Sequence, residues 1–264
     1  MTRLVPAIAR ALDLLELFVD GGPSLSIPDM AARLGRPRSS VHEIVQTLLA
    51  RGYLARLEQQ PNRFTLGARL FELGNAYANE LDLAREGQQV ARWVAAECDE
   101  TVHLAILDGT QVVYIAKVDS THAVRMVSVL GGRLPAHCTA VGKMLLSGLS
   151  DAEVAARFAG SQTLVAMTPA SITSLGRLRQ ELAEIRARGL AYDDCESNTL
   201  VRCVSAPVYD HRGEMVAAMS ISVPIVRMDD SRREELGKLV RKGADELSRR
   251  LGYAPGLRAV AAAR

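Results

Sequence analysis

Residues 32–54 read ARLGRPRSSVHEIVQTLLARGYL, and the architecture of the N-terminal quarter follows from them. Val41, Ile44, Val45, Leu48 and Leu49 fall at i, i+3, i+4, i+7 and i+8, the spacing of one buried helix face. Pro37 suits the start of that helix and Gly52 its end. Arg38, Ser39, Ser40, His42 and Gln46 are left on the opposite face, with Arg36 just ahead of them. Upstream, SIPDMAARLG offers Ser26 as a cap, Asp29 three residues on to complete a capping box, and Gly35 as the stop. Two helices are therefore joined by a turn of only a few residues. Working outward, Ile8, Leu12, Leu15 and Val19 predict a first helix over residues 6–19, ended by DGGPS. Strand-like runs at 53–57 and 63–66, around a polar turn containing Pro61 and Asn62, predict a hairpin. Three helices followed by a hairpin make a winged helix-turn-helix over residues 1–67.

Charge points the same way. The chain of 264 residues has a formal net charge of only +2, but within residues 33–63 six arginines face Glu43 and Glu58 alone. That is a modest polyanion-binding footprint. A major-groove reader needs a helix, cations for phosphates and side chains that bond base edges, and residues 36–46 supply all three. The candidate DNA-contacting set is Arg36, Arg38, Ser39, Ser40, His42 and Gln46, with Arg56 and Arg63 from the wing. A solvated polar face on a helical interaction module is the bland alternative.

The rest of the chain is mixed. A helix rather apolar on one side spans residues 68–81 and reads as a linker, placed at 68–84 between the domains. Strands are predicted at 101–107, 111–118, 124–130, 189–194, 203–209 and 214–223, with a hairpin turn at Asp108–Gly109 and another at DHRG. Helices fit residues 85–98, 139–146, 151–158, 174–188 and 231–251. The expectation is an α+β chain whose second domain, residues 85–253, is one antiparallel sheet flanked by helices. Residues 254–264, APGLRAVAAAR, read as a disordered tail.

Several classes are set aside. No apolar stretch approaches the roughly 18 residues of a membrane span, and Arg10, Asp13 and Glu16 interrupt the region where a signal peptide would need an apolar centre. A cytoplasmic protein is expected, with Cys98, Cys138, Cys195 and Cys203 kept as thiols. Gly142-Lys143 lacks the upstream glycine of a phosphate loop, no dinucleotide fingerprint exists, and His42-Glu43 lacks the second histidine of a zinc protease. A nucleophilic pair of Cys138 or Cys203 with His103 or His137 has no visible activating group. Zinc held by His137, Cys138, Cys195 and Cys203 is chemically possible, but the spacings match no known ligand pattern. No enzyme activity, metal or cofactor is expected.

Polar residues inside apolar strands mark a pocket instead. AAMSISVP puts Ser220 and Ser222 two apart, on one face of a strand, where buried hydroxyls need partners. GGRLPAHCTAVGKMLLS runs from a glycine-containing loop into a helix whose first N–H groups suit a carboxylate. Asp193 and Cys203, either side of the loop in AYDDCESNTLVRCVSAP, form a second candidate wall.

Taken together, ALDLLELF, RPRSSVHEIVQTLLARGYL, RFTLG, ETVHLAILDGTQVVYIAKVDS, GGRLPAHCTAVGKMLLS, LRQELAEIRARGLAYDD and CVSAPVYDHRGEMVAAMSIS resemble the IclR-type bacterial transcriptional regulators over nearly the whole chain. The resemblance implies an operator-binding winged helix, a linker helix and a GAF-like effector domain. It also implies homodimers, or dimers of dimers, that act on double-stranded DNA and sense small organic or aromatic acids, some of them as repressors. By position it puts the effector site on Met126, Thr139, Ala140, Val141, Gly142, Asp193, Cys203, Ser220 and Ser222. Where many relatives carry an acidic residue and a glycine, this chain reads CESNTLVRC, so the loop before Cys203 is expected to have its own shape.

Overall fold

The computed structural model describes residues 5–20, 22, 24–73, 83–126, 128–159 and 163–254. The chain divides into two compact units, Met1–Leu81 and Asp82–Arg264, each treated separately.

In the first unit, helix α1 (Pro6–Asp20) is followed by strand β1 (Leu25–Ser26), helices α2 (Ile27–Leu34) and α3 (Arg38–Ala50), and strands β2 (Leu54–Leu57) and β3 (Gln60–Leu66). The caps act as the sequence indicates. Ser26 Oγ accepts from the Asp29 N–H at 3.3 Å, while Asp29 accepts from the Ser26 N–H at 3.0 Å. Gly35 ends α2 in the left-handed region at φ 60°, where a side chain would be strained. Leu14, Phe18, Met30, Val41, Val45, Leu48, Leu54 and Phe64 then close one core. Burying each of these large side chains contributes roughly 1.5–3 kcal/mol before entropy is counted.

One expectation for the wing is corrected. Pro61 and Asn62 belong to β3, and the turn is made by Glu58 and Gln59. Proline is tolerated because the β2–β3 register shifts at Arg56–Leu57, and β1 pairs only with Arg63 and Phe64 further along. Its missing N–H therefore breaks no ladder bond. Residues 68–73 are helical, and the remainder of the expected 68–81 helix lies outside the described residues.

The second unit is built on a six-stranded sheet in the order β6-β5-β4-β9-β8-β7, every neighbouring pair antiparallel. Its strands are β4 (Thr101–Asp108), β5 (Gln111–Val118), β6 (Arg133–Pro135), β7 (Ala191–Asp194), β8 (Val201–Tyr209) and β9 (Met215–Pro224). Helices α4 (Leu83–Cys98) and α8 (Asp230–Arg250) pack together against one face. On the other lie α5 (Ala140–Ser147) and α7 (Leu175–Arg188), with α6 (Asp151–Arg157) contributing Val154 to the same core. Two close approaches fix these layers. A Cβ on Gly87 of α4 would sit 2.3 Å from Leu104 Cδ2 of β4, and one on Gly142 of α5 would sit 2.2 Å from the Ala136 carbonyl oxygen. At Gly142 the obstacle is backbone, so only glycine lets α5 lie that near, whereas at Gly87 a methyl group would displace the end of the Leu104 side chain.

Among the described residues of the expected strand 124–130, none is in a strand. Val124, Val129 and Leu130 are exposed and Met126 is buried, so the apolar residues do not share one buried strand face. The chain instead returns at Gly131, whose N–H bonds the Tyr114 carbonyl at 2.8 Å, and pairs as β6 with Gln111, Val112 and Val113. The tail from residue 255 lies outside the described residues.

Candidate functional site

On α3 the helical period separates two faces. Val41, Val45 and Leu48 are buried, while Arg36, Arg38, Ser39 and His42 are exposed and Ser40 and Gln46 half-exposed. Among the described residues the side chains of these six polar residues form no hydrogen bond or ion pair. A row of uncommitted donors and cations on one helix is what a phosphate and base-edge surface requires. The wing arginines differ. Arg56 is exposed, bonds the Pro61 carbonyl at 3.3 Å and lies 5.4 Å over the Phe64 ring. Arg63 is half-buried and holds Ser24 through its Oγ at 2.9 Å and its carbonyl at 2.7 Å, so it braces the start of α2.

In the second unit the register of four strands builds the other site. Asp193 pairs with Cys203, Cys203 with Ser222, and Ser222 with Thr101; one step along, Ser205 pairs with Ser220, and Ser220 with His103. Directly paired residues share a face. A single sheet face thus carries a carboxylate, a thiol, several hydroxyls and an imidazole, all nearly out of solvent. Met126, Ala140, Val201 and Cys203 pack as an apolar cluster beside them. At the start of α5, Thr139 Oγ1 accepts from the Gly142 N–H at 3.1 Å, leaving the Ala140 and Val141 N–H groups outside the helix's own bonding pattern. The sequence-derived residues meet here with one qualification. The Val141 side chain joins the core with Met144 and Leu145, and Gly142 presses on Ala136, so these two contribute backbone and space only.

Asp193 is engaged more fully than the sequence suggested. Its Oδ1 accepts from the N–H groups of Glu196 at 2.7 Å and Ser197 at 3.2 Å, and Oδ2 accepts from Ser197 Oγ. These bonds wind the loop 194–197, with Cys195 held at φ 61°. Burial pushes the Asp193 carboxyl above the usual carboxylate range, and the Ser197 hydroxyl opposes that shift. Behind it, buried Lys143 pairs with Glu196, and Ser171 Oγ donates to the Glu196 carbonyl at 2.6 Å. Glu196 Oε2 is buried without a hydrogen-bond partner among the described residues, and burial raises that carboxyl too.

Sequence reasoning did not join His103, Ser128, Tyr114 and Lys117 to this face. Cys203 Sγ donates to Ser222 Oγ at 3.2 Å, Ser222 lies 3.3 Å from His103 Nδ1, and His103 Nε2 lies 2.6 Å from Ser128 Oγ. The His103 and Tyr114 rings are 4.7 Å apart. Burial, reinforced by nearby Lys117, lowers the His103 pKa to about 4, so the ring is neutral near pH 7. Burial likewise raises the Tyr114 phenol, with the Cys203 and Asp193 charges adding to it. The signal available was the polar member of each apolar strand in HLAIL and VVYIA. Lys117 adds a bond from Nζ to the Ser128 carbonyl at 2.6 Å.

Neither Cys138 nor Cys203 is activated. Burial pushes Cys138 up to about 12 and Cys203 well above its ordinary value, so neither is a ready nucleophile or ligand near neutral pH. All four cysteines are free, and among the described residues no three His, Cys, Asp or Glu side chains are grouped to hold a metal. Nor is any described helix long and apolar enough to cross a membrane.

Residues 7–58 match the model of the IclR helix-turn-helix domain, and residues 75–249 match that of the bacterial transcriptional regulator IclR C-terminal region. The chain belongs to the IclR family. As an IclR-type regulator it combines a helix-turn-helix DNA-binding domain with a C-terminal effector-binding domain. It is 34% identical over 252 residues to the HTH-type transcriptional regulator XynR of Escherichia coli K12, covering 95% of this chain and 98% of that one. Its structure is similar to that of the Agobacterium tumefaciens repressor BlcR, with a TM-score of 0.82 at 30% identity over 94% and 98% of the two chains. An IclR homologue from Microbacterium hydrocarbonoxydans, solved in complex with 4-hydroxybenzoate, shares the fold at a TM-score of 0.57 and 24% identity over 93% and 98%. This IclR-family chain is thus an α+β transcriptional regulator.

Proposed function

We propose that this protein is a cytoplasmic, non-enzymatic regulator whose α3 reads the major groove of a double-stranded operator and whose β-sheet pocket binds a small carboxylate effector. The division of labour is a winged helix-turn-helix over residues 1–67, a linker over 68–84 and an effector domain over 85–253. On α3, Arg36 and Arg38 neutralise phosphates, Ser39, Ser40 and His42 fix the register, and Gln46 bonds a base edge. Arg56 reaches the adjoining backbone. Arg63 serves mainly by bracing the wing.

The observation that carries the effector reading is the convergence, on one buried sheet face, of Ser220, Ser222, Cys203 and Asp193 under the first turn of α5. The Ala140 and Val141 N–H groups receive the acid, as helix N-termini do. Ser220 and Ser222 add bonds, while Met126, Ala140 and Val201 pack the carbon skeleton. Asp193 uses three of roughly four acceptor positions on its own loop, so the remaining one takes a donor at the far end of the ligand. An effector carrying both an acid and a hydroxyl meets this inventory, and the 4-hydroxybenzoate held by the structural neighbour is of that kind. Assembly is as a homodimer, or a dimer of dimers. Val5, Ile8 and Leu12 form an exposed apolar stripe at helical spacing on and just before α1, which a second copy would cover.

Calorimetry with small hydroxy, keto, amino and aromatic acids, repeated on the Ser220→Ala/Ser222→Ala double variant, tests the pocket. At least one acid should bind the native protein, and the variant should bind it more weakly. An acid bound equally by both would place the pocket elsewhere.

A further inference from the structure

Ser222 has a single proton, and the bond that its oxygen accepts limits where that proton can go. Cys203 donates its S–H to Ser222 Oγ at 3.2 Å, so the Ser222 hydroxyl proton is left to point at His103 Nδ1, 3.3 Å away. In that arrangement Nδ1 is the bare nitrogen of a neutral ring, and an Nε2–H is placed to donate to Ser128 Oγ, 2.6 Å away. Among the described residues the proton on Ser128 Oγ has no acceptor. The result is a directed chain, Cys203 to Ser222 to His103, that ends at Ser128.

In that direction Ser222 offers an incoming ligand only a lone pair. A carboxylate needs a donor, and drawing the Ser222 proton toward it would strand Nδ1 as a buried acceptor without a partner. The reverse direction removes the conflict. With the proton on Nδ1, His103 donates to Ser222 Oγ, Ser222 donates to the carboxylate, and the spare proton of Ser128 bonds Nε2. One proton leaves Nε2 and one arrives at Nδ1 by exchange with water, so the ring stays neutral and the proton count is unchanged. Chains of this kind polarise one another and strengthen the terminal bond to the anion.

We propose that His103 is a specificity-determining residue of the effector site, changing between its two neutral tautomers so that Ser222 donates to an effector carboxylate. It acts through Ser222 and is a positioning residue. This rests on the reading of the Ser220–Ser222 face as the effector pocket.

Nitrogen-15 spectra of histidine-labelled full-length protein read the tautomer directly. Without ligand, His103 should show Nε2–H; with saturating 4-hydroxybenzoate it should change to Nδ1–H, and with 4-hydroxybenzamide it should not. In calorimetry, His103→Leu should narrow the preference for the acid over the amide about fivefold, the effect of one neutral hydrogen bond. His103→Asn, whose amide can donate from the Nδ1 position, should restore it. An Nδ1–H ring in the free protein, a tautomer unmoved by the bound acid, or an unchanged preference in His103→Leu would overturn the proposal. Failure of 4-hydroxybenzoate to bind would overturn it as well. Ser222→Ala separates the two levels: if it leaves acid binding intact the pocket reading itself falls, whereas weakened binding with an unresponsive His103 sinks only the relay. The wild-type spectra stand even if a variant misfolds.

Discussion

Neutral burial of His103 has a pH signature large enough to measure. Burial foremost, then Lys117, holds its pKa at about 4 against the ordinary 6.5, with Asp119 opposing them. Below pH 6.5 the unfolded chain takes up a proton that the folded protein refuses, so acidification favours unfolding. The stability associated with the neutral ring is complete above 6.5 and is lost as pH falls toward 4. Across that window the loss comes to about 3 kcal/mol, and between pH 7 and pH 5 alone to about 2 kcal/mol. His103→Gln keeps a donor for Ser128 and removes the titration. Urea unfolding can be followed by fluorescence of Trp93, the single tryptophan, which lies in α4 and so reports on the second unit. The wild-type midpoint should fall relative to the variant by roughly 1 M between pH 7 and pH 5, for a slope near 2 kcal/mol per molar. Parallel pH dependences would refute the account, since Asp193, Glu196 and His137 titrate in both proteins.

Two further outcomes follow from the geometry. Arg38→Ala should weaken binding to all DNA and reduce its salt dependence, whereas Gln46→Ala should relax preference at one base position of a two-half-site operator; unchanged titrations on operator and random duplexes would remove α3 as the reader. Gly142→Ala would drive a methyl group into the Ala136 backbone, so α5 must shift at a cost of about 1–3 kcal/mol. Thermal denaturation should show a loss of several degrees together with weaker acid binding, and a variant native in both respects would contradict the close packing.

The helix-turn-helix was legible because its signals are local. Ser26 with Asp29, Gly35, and the 3.6-residue period of Val41 to Leu49 each act within one or two turns. The wing turn was misplaced because Pro61 and Asn62 are turn formers by type, and nothing local reveals that β3 is unpaired by β1 at that point. Residues 124–130 alternate like a strand, yet a strand exists only where a neighbour offers its edge, and β5 gives that edge to residues 133–135. Ser220 and Ser222 could be placed on one face from their spacing alone. His103, Tyr114 and Ser128 could not be joined to them, because which strands lie side by side is a long-range fact. Lys143 and Glu196, 53 positions apart, meet only once α5 covers β7 and β8.

The contact between Gly87 and Leu104 bears on how an event at the proposed effector pocket would leave the domain. Leu104 follows His103 directly on β4, and successive strand residues point to opposite faces, so the sheet separating the pocket from α4 is one residue thick. An ordinary helix–sheet contact would absorb a small movement by side-chain rearrangement. At Gly87 the helix presents backbone rather than a side chain, so only the end of the Leu104 side chain can give. Gln88, the next residue, grips the Lys117 backbone on β5 through both its amide atoms, at 2.9 and 3.1 Å. Movement of β4 or β5 would therefore reach the N-terminal turn and a half of α4 through Leu104 and Gln88, and α4 is the first described element of the second unit.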